Sequence, residues 1–159
     1  ALRISDDVHY VIVGGIHDEG YYQEALELIE KDDIADRVTI TGYQENTSEL
    51  MACFDIVVVP SVPEPFGLVL LEAMMISKPV IAFNIGGPSE IIMPNKTGLL
   101  VDAINSEALG EAVGVLALDV ERRKRMGRDG RLLLEKNFTC GIQCKNIEQL
   151  IDNLLLAAY

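Results

Sequence analysis

Residues 60–101 read PSVPEPFGLVLLEAMMISKPVIAFNIGGPSEIIMPNKTGLLV, and this stretch decides the fold. The run leading into it, Asp55–Pro60 (DIVVVP), and the run inside it, Pro79–Asn84 (PVIAFN), are short, apolar and rich in β-branched residues. Continuous apolar runs of that length fit strands buried on both faces. Between them, Gly67 to Ser77 has no internal Gly or Pro and carries apolar residues at helical spacing, which predicts a helix. The order strand, loop, helix, strand is the crossover unit of a parallel sheet. Such sheets place ligands at the C-terminal ends of their strands.

A helix that starts near Gly67 leaves its first N–H groups without internal partners. With the helix dipole, those donors favour a phosphate or another anion. Gly67 has no Cβ to hold a ligand away from the backbone. Glu64, in the loop just outside, can accept hydrogen bonds from sugar hydroxyls but repels phosphate. Glu72 lies about one and a half turns into the helix, where it can meet a second hydroxyl-bearing group. A ligand with phosphate in the middle and a sugar at each end fits this order, which is the chemistry of a nucleotide-sugar.

The pattern Glu64-Pro-Phe-Gly-Leu-Val-Leu-Leu-Glu72, followed by Ala73-Met74 and Lys78-Pro79-Val80-Ile81-Ala82, resembles the E-x7-E signature of retaining GT-B glycosyltransferases. The similarity is closest to family 4, the group 1 glycosyltransferases. It continues through Gly86-Gly87-Pro88-Ser89-Glu90-Ile91-Ile92 and Asn95-Lys96-Thr97-Gly98-Leu99-Leu100-Val101, and upstream through Val11-Ile12-Val13-Gly14-Gly15. The resemblance implies that Glu64 hydrogen-bonds the transferred sugar and stabilises charge developing there, as the catalytic residue. It implies that Phe66 and Gly67 offer backbone N–H groups to the sugar, that Leu68 and Val69 offer theirs to the diphosphate, and that Glu72 binds the ribose. Gly42, Tyr43 and Gln44, at the end of an upstream strand, become candidates for the nucleobase pocket. A Tyr43 that only covers the sheet edge is the competing reading. Outside such a motif, an isolated Glu at 64 or 72 would read as a solvated carboxylate.

Outward from the motif, Val8–Val13 reads as a buried parallel strand ending in Gly14-Gly15, and Tyr21–Asp32 as an amphipathic helix. The dinucleotide fingerprint G-x-G-x-x-G is absent, and His17 reads as a solvated loop residue. Arg37–Gly42 is a second strand, and Thr47–Phe54 a short helix with Asn46 as its N-cap. Gly98–Val101 is a further strand, Ser106–Asp119 a helix capped by Asn105 or Ser106, and Thr139–Leu156 a last helix. The expected fold class is α/β, a Rossmann-like parallel sheet with helices on both faces. The whole of 1–159 is expected to form one nucleotide-sugar-binding domain. The resemblance also implies that this domain lacks its first strand and helix, together with an Arg and a Lys that neutralise diphosphate.

The chain has 159 residues and 49% apolar content, enough for one domain with a core. Its net charge of −12 argues against a nucleic-acid partner. Residues 1–50 hold twelve acidic and three basic side chains, so most of the excess lies outside the motif. Arg122–Arg125, Arg128 and Arg131 form the basic cluster of the chain. It reads as a solvated helix face, because Glu121, Asp129 and Glu135 interrupt it, or as a patch for peripheral membrane contact in a parent enzyme. Three cysteines without a framework spacing fit a reducing cytoplasm, with the membrane surface as the other location. Ala1–Asp7 has neither the basic start nor the apolar run of a leader. Cys140 and Cys144 at i and i+4 read as ordinary helix residues, since no His or third Cys lies nearby. No Asp-x-Asp, P-loop or Gly-x-Ser-x-Gly occurs. The reading requires no metal and no cofactor.

The function implied by the resemblance is retaining sugar transfer from a nucleoside diphosphate sugar to an acceptor. The acceptor would be held by an N-terminal domain that this chain does not match, and the fragment alone is expected to be inactive. A non-catalytic nucleotide-sugar-binding module and a GT-B-fold nucleotide-sugar epimerase remain as alternatives.

Overall fold

The structure is a computed structural model that describes residues 8–157; the Ala1–Asp7 segment read above for a leader lies outside them. The elements alternate in chain order: β1 (Tyr10–Val13), α1 (Glu19–Lys31), a 3₁₀ turn (Ala35–Arg37), β2 (Val38–Gly42), α2 (Thr47–Ala52) and β3 (Val57–Val59). Then come α3 (Leu68–Met75), β4 (Val80–Phe83), α4 (Gly87–Ile91), β5 (Gly98–Val101), α5 (Ser106–Ala117), α6 (Val120–Asn137) and α7 (Cys140–Ala157). Three helices start where a side-chain oxygen satisfies an orphan N–H. Asp18 accepts from Tyr21 N–H at 3.0 Å, Asn105 from Ala108 N–H at 2.8 Å, and Asp119 from Arg122 N–H at 2.8 Å. Asn46 stands at the N-cap of α2 as expected, but its side chain makes no capping bond.

All strand pairs are parallel, as the sequence predicts. Among the described residues they form two sheets rather than one: β1 pairs only with β2, and β3, β4 and β5 follow in that order. Within the three-stranded sheet the strands follow one another in chain order.

The core sits on the three-stranded sheet, and the period-two alternation of β4 shows how. Val80 and Ala82 face a cluster with Leu70, Ala73 and Met74 of α3 and Ile91 of α4. Ile81 and Phe83 face the opposite cluster, with Val101, Leu116 of α5 and Met126 of α6. Both faces of this sheet are therefore covered, and all four residues of β4 are buried. Fully burying a side chain of Leu or Ile size contributes roughly 1.5–3 kcal/mol.

The β1–β2 unit differs. No residue from Val8 to Leu50 is buried, and Ile12 of β1 is 49% exposed. The expectation of a buried strand over Val8–Val13 is thus corrected. Its pairing is parallel, but it is bonded on one edge only, and α1 contributes no buried residue above it. The last helix carries a similar apolar stripe in the open, with Ile147, Leu150, Ile151 and Leu154 each at least half exposed.

Candidate functional site

Six of the nine candidate residues lie on one short path from the C-terminal end of β3 into α3. The chain leaves Val59, passes Glu64 and Phe66, and reaches Gly67, which has φ +96° and ψ 50° at the N-cap of α3. That left-handed conformation favours glycine. Its Cα–H side is closed by Leu70, whose Cδ1 would stand 2.8 Å from a Cβ at this position. Only a residue without a side chain turns the loop this sharply into a helix.

Gly67 N–H, Leu68 N–H and Val69 N–H meet no acceptor among the described residues, whereas Leu70 N–H returns to the Gly67 carbonyl at 3.0 Å. Three consecutive amide donors are therefore unpaired at the helix start, on buried Gly67 and exposed Leu68 and Val69, where the dipole adds partial positive charge. The Leu68 and Val69 side chains are 64% and 44% exposed, so neither is committed to the core. Glu64 is half-buried before this row, and Glu72 is exposed on α3, about 6 Å along the axis from its first residue. Phe66 N–H, expected to face a sugar, is turned instead toward Glu64 Oε1 at 3.4 Å. A ligand hydroxyl would have to replace this long bond.

The remaining three candidates are on the other sheet. Gly42 has φ +69° and closes β2, with its carbonyl accepting from Gly14 N–H at 3.2 Å and from Thr41 Oγ1 at 3.0 Å. Tyr43 is 76% exposed, so it covers no sheet edge tightly. The Gln44 side-chain amide donates back to the Thr41 carbonyl at 3.0 Å. His17, in the turn after β1, is exposed. The structure thus gathers Glu64, Phe66, Gly67, Leu68, Val69 and Glu72 on one loop–helix path, and Gly42, Tyr43 and Gln44 at the strand ends of a separate sheet.

Two neighbours complete the first group. Gly87 N–H donates to the Glu64 carbonyl at 3.0 Å, and Asn84 Nδ2 donates to Asp102 Oδ1 at 2.7 Å. Both tie the C-terminal ends of β3, β4 and β5 together. The sequence signal for the first was Gly86-Gly87-Pro88 directly after a strand, which marks a close backbone approach. The Asn84–Asp102 pair had no local signal, since its partners are eighteen residues apart.

The basic cluster lies elsewhere. Arg123 reaches the Leu116 and Ala117 carbonyls at 2.7 Å each, capping the end of α5, and Asp55 at 3.6 Å. Arg131 binds the Met75 carbonyl at the far end of α3 and Glu135 at 2.6 Å. Arg122 donates to Asn95 Oδ1, and Lys124 pairs with Glu121. Asp55 precedes β3, so these cations gather at the N-terminal ends of the strands, away from the amide row. Cys140 and Cys144 are exposed free thiols, and no group of three or more His, Cys, Asp or Glu is placed for a metal among the described residues. Among those residues, no helix is long and apolar enough to cross a membrane.

Parallel strands alternating with helices give this chain a Rossmann-like α/β form. The pattern of the family described as glycosyl transferases group 1 matches residues 1–133. This chain therefore belongs to the group 1 glycosyl transferases. One relative is the GDP-mannose-dependent alpha-(1-6)-phosphatidylinositol monomannoside mannosyltransferase of Mycobacterium tuberculosis. It is 39% identical over 140 residues, which are 81% of this chain and 35% of that protein. The Anabaena protein HepE in complex with UDP superposes with a TM-score of 0.85 at 26% identity, over 93% of this chain and 42% of that one. The same protein with UDP-glucose gives 0.82 at 25% identity. The C-terminal domain of a group 1 family protein, LpcC from Francisella tularensis, shares the fold with a TM-score of 0.73. It is 21% identical, and the match covers 83% of this chain and 87% of that domain. The chain spans about a third of the length of the curated relatives it matches.

Proposed function

We propose that this chain is the donor-binding part of a glycosyltransferase that moves a sugar from a nucleoside diphosphate sugar to an acceptor with retention at the anomeric carbon. The observation that carries this reading is the row of three unaccepted N–H groups at Gly67, Leu68 and Val69, with Glu64 before it and Glu72 beyond it. Gly67, Leu68 and Val69 hold the diphosphate and the adjoining sugar oxygens. Glu64 accepts from the transferred sugar and stabilises the positive charge that grows there as the bond to the diphosphate breaks. Glu72 accepts from the ribose, and Gly42, Tyr43 and Gln44 meet the base. The departing diphosphate gains negative charge in that step, and preorganised amides stabilise it without a metal. The acceptor is held by a further, N-terminal part of a longer polypeptide, and residues 1–159 act as a single domain within it.

The solved complexes of the Anabaena relative with UDP and with UDP-glucose support a nucleoside diphosphate sugar as the ligand. The test is an amide NMR titration of the chain with UDP-glucose, GDP-mannose, ADP-glucose and the free diphosphates. Shifts centred on Glu64–Glu72 and Gly42–Gln44 are expected, with the tightest ligand identifying the base. A folded spectrum unmoved at millimolar ligand would overturn the donor assignment for this chain.

A further inference from the structure

Gly86 and Gly87 have no part in the donor contacts assigned above, yet the loop that carries Glu64 rests on them. Gly87 is buried, and its N–H holds the Glu64 carbonyl at 3.0 Å. A Cβ at Gly87 would overlap the Phe66 carbonyl group, its carbon as well as its oxygen. Gly86 has φ +67° and ψ −141°, and a Cβ there would stand 2.5 Å from the Glu64 carbonyl oxygen. The two peptides thus present a bare backbone surface to the loop over a distance that no side chain fits. They are themselves fixed from behind. Ser89 Oγ and Ser89 N–H both donate to the Gly86 carbonyl, at 2.6 and 3.2 Å. Pro88 and Ile91 anchor α4 in the core, and Asn84 N–H holds the Val101 carbonyl at 2.9 Å.

We propose that Gly86–Gly87 is the positioning element of the donor site, setting where the Glu64 carboxylate stands relative to the Leu68 and Val69 amides. The proposal rests on the donor reading. Both sides of the contact are backbone, so an added methyl cannot be relieved by a rotamer change. The Glu64–Phe66 segment must move instead. α3 is held separately, through Leu70, Ala73 and Met74, which are fully buried. The displacement therefore separates Glu64 from Leu68 N–H, Val69 N–H and Glu72, which α3 carries and keeps in place, while Gly67 N–H follows the Phe66 carbonyl with which it shares one peptide plane. A misplacement of about 1 Å in a catalytic arrangement costs on the order of 100-fold in rate. Diphosphate affinity, carried by α3, should change little.

The experiment uses the complete polypeptide that contains this chain, with the donor selected by the titration. Gly86→Ala, Gly87→Ala and Glu64→Ala are compared for thermal unfolding, nucleoside diphosphate affinity, donor KM and kcat. Gly86 is exposed and its added methyl meets only the Glu64 carbonyl, although the positive φ of +67° adds backbone strain. Gly86→Ala carries the test if Gly87→Ala fails to fold, with thermal unfolding separating that strain from displacement of Glu64. The expected result is a folded Gly86→Ala protein with diphosphate affinity within about threefold of the parent and kcat lowered about 100-fold. Full turnover in Gly86→Ala beside a strong loss in Glu64→Ala overturns the positioning role and leaves the donor reading standing. Parallel loss of diphosphate affinity and turnover in Gly86→Ala overturns it as well, because the site would then have collapsed as a whole. Unchanged turnover in Glu64→Ala removes the donor reading, and this inference with it.

Discussion

Glu64 and Glu72 have the same chemistry in different settings, and their settings separate their roles. Glu64 is half-buried in a loop whose carbonyl is pinned by Gly87, and the proposed donor reading places its carboxylate where charge develops. Removing it should lower kcat by about 100- to 1000-fold, the scale seen when one transition-state contact is lost, with little change in diphosphate affinity. Glu72 is exposed on the helix, and in the proposed reading it meets the far end of the ligand. Glu72→Ala should weaken nucleoside diphosphate binding about 10-fold, the loss of a hydrogen bond to a charged group, with kcat at saturating donor retained. Calorimetry beside steady-state kinetics distinguishes the two patterns, and equal effects on kcat from both variants would contradict the division. Gly67 was legible as a close-approach glycine from its place before the helix. What the sequence could not convey is the turn of Phe66 N–H onto Glu64 itself, because that bond depends on loop torsions and not on residue spacing.

Among the elements, α6 decides how tightly α3 can be held. A Cβ at Gly127 would overlap the Ser77 carbonyl, and Gly130 stands against Met74. These two glycines, one turn apart, let α6 approach the C-terminal end of α3, opposite the end that bears the amide row. Gly127→Ala should destabilise the fold by about 1–3 kcal/mol through overpacking, read as a lowered denaturant midpoint. An unchanged midpoint would mean that α6 can slide without loss. Thr97 is fully buried and its Oγ1 accepts Met93 N–H at 2.9 Å, so Thr97→Val should cost about 1–3 kcal/mol by orphaning that N–H. The helix after β5 was legible where apolar spacing and the capping Asn105 coincide, whereas Asp119, which read as the last residue of that helix, is instead the N-cap of α6. The five-residue α4 was not legible, because Gly87 and Pro88 occupy its first turn and mask any periodicity. The role of the basic residues of α6 was likewise hidden, since Arg123 and Arg131 bind backbone carbonyls of other helices, which no charge pattern records.

On the scale of the molecule, stability is distributed unevenly. The sheet β3–β4–β5 has a core on each face, whereas nothing from Val8 to Leu50 is buried. Backbone hydrogen exchange should show it: amides of β4 protected to near the global unfolding free energy, and those of β1 and β2 exchanging through cheaper local opening. Equal protection of the two sheets would contradict this division. The sequence suggested otherwise for β1, because an apolar run records a strand's suitability for burial and not whether neighbours arrive on both of its sides. The same unevenness bears on biosynthesis. A ribosome releases residues 8–50 before the Val57–Val101 segment that builds the well-packed sheet. Stabilisation therefore runs opposite to synthesis: of these two portions the one made first is the less protected, and the well-packed sheet condenses from the one made later.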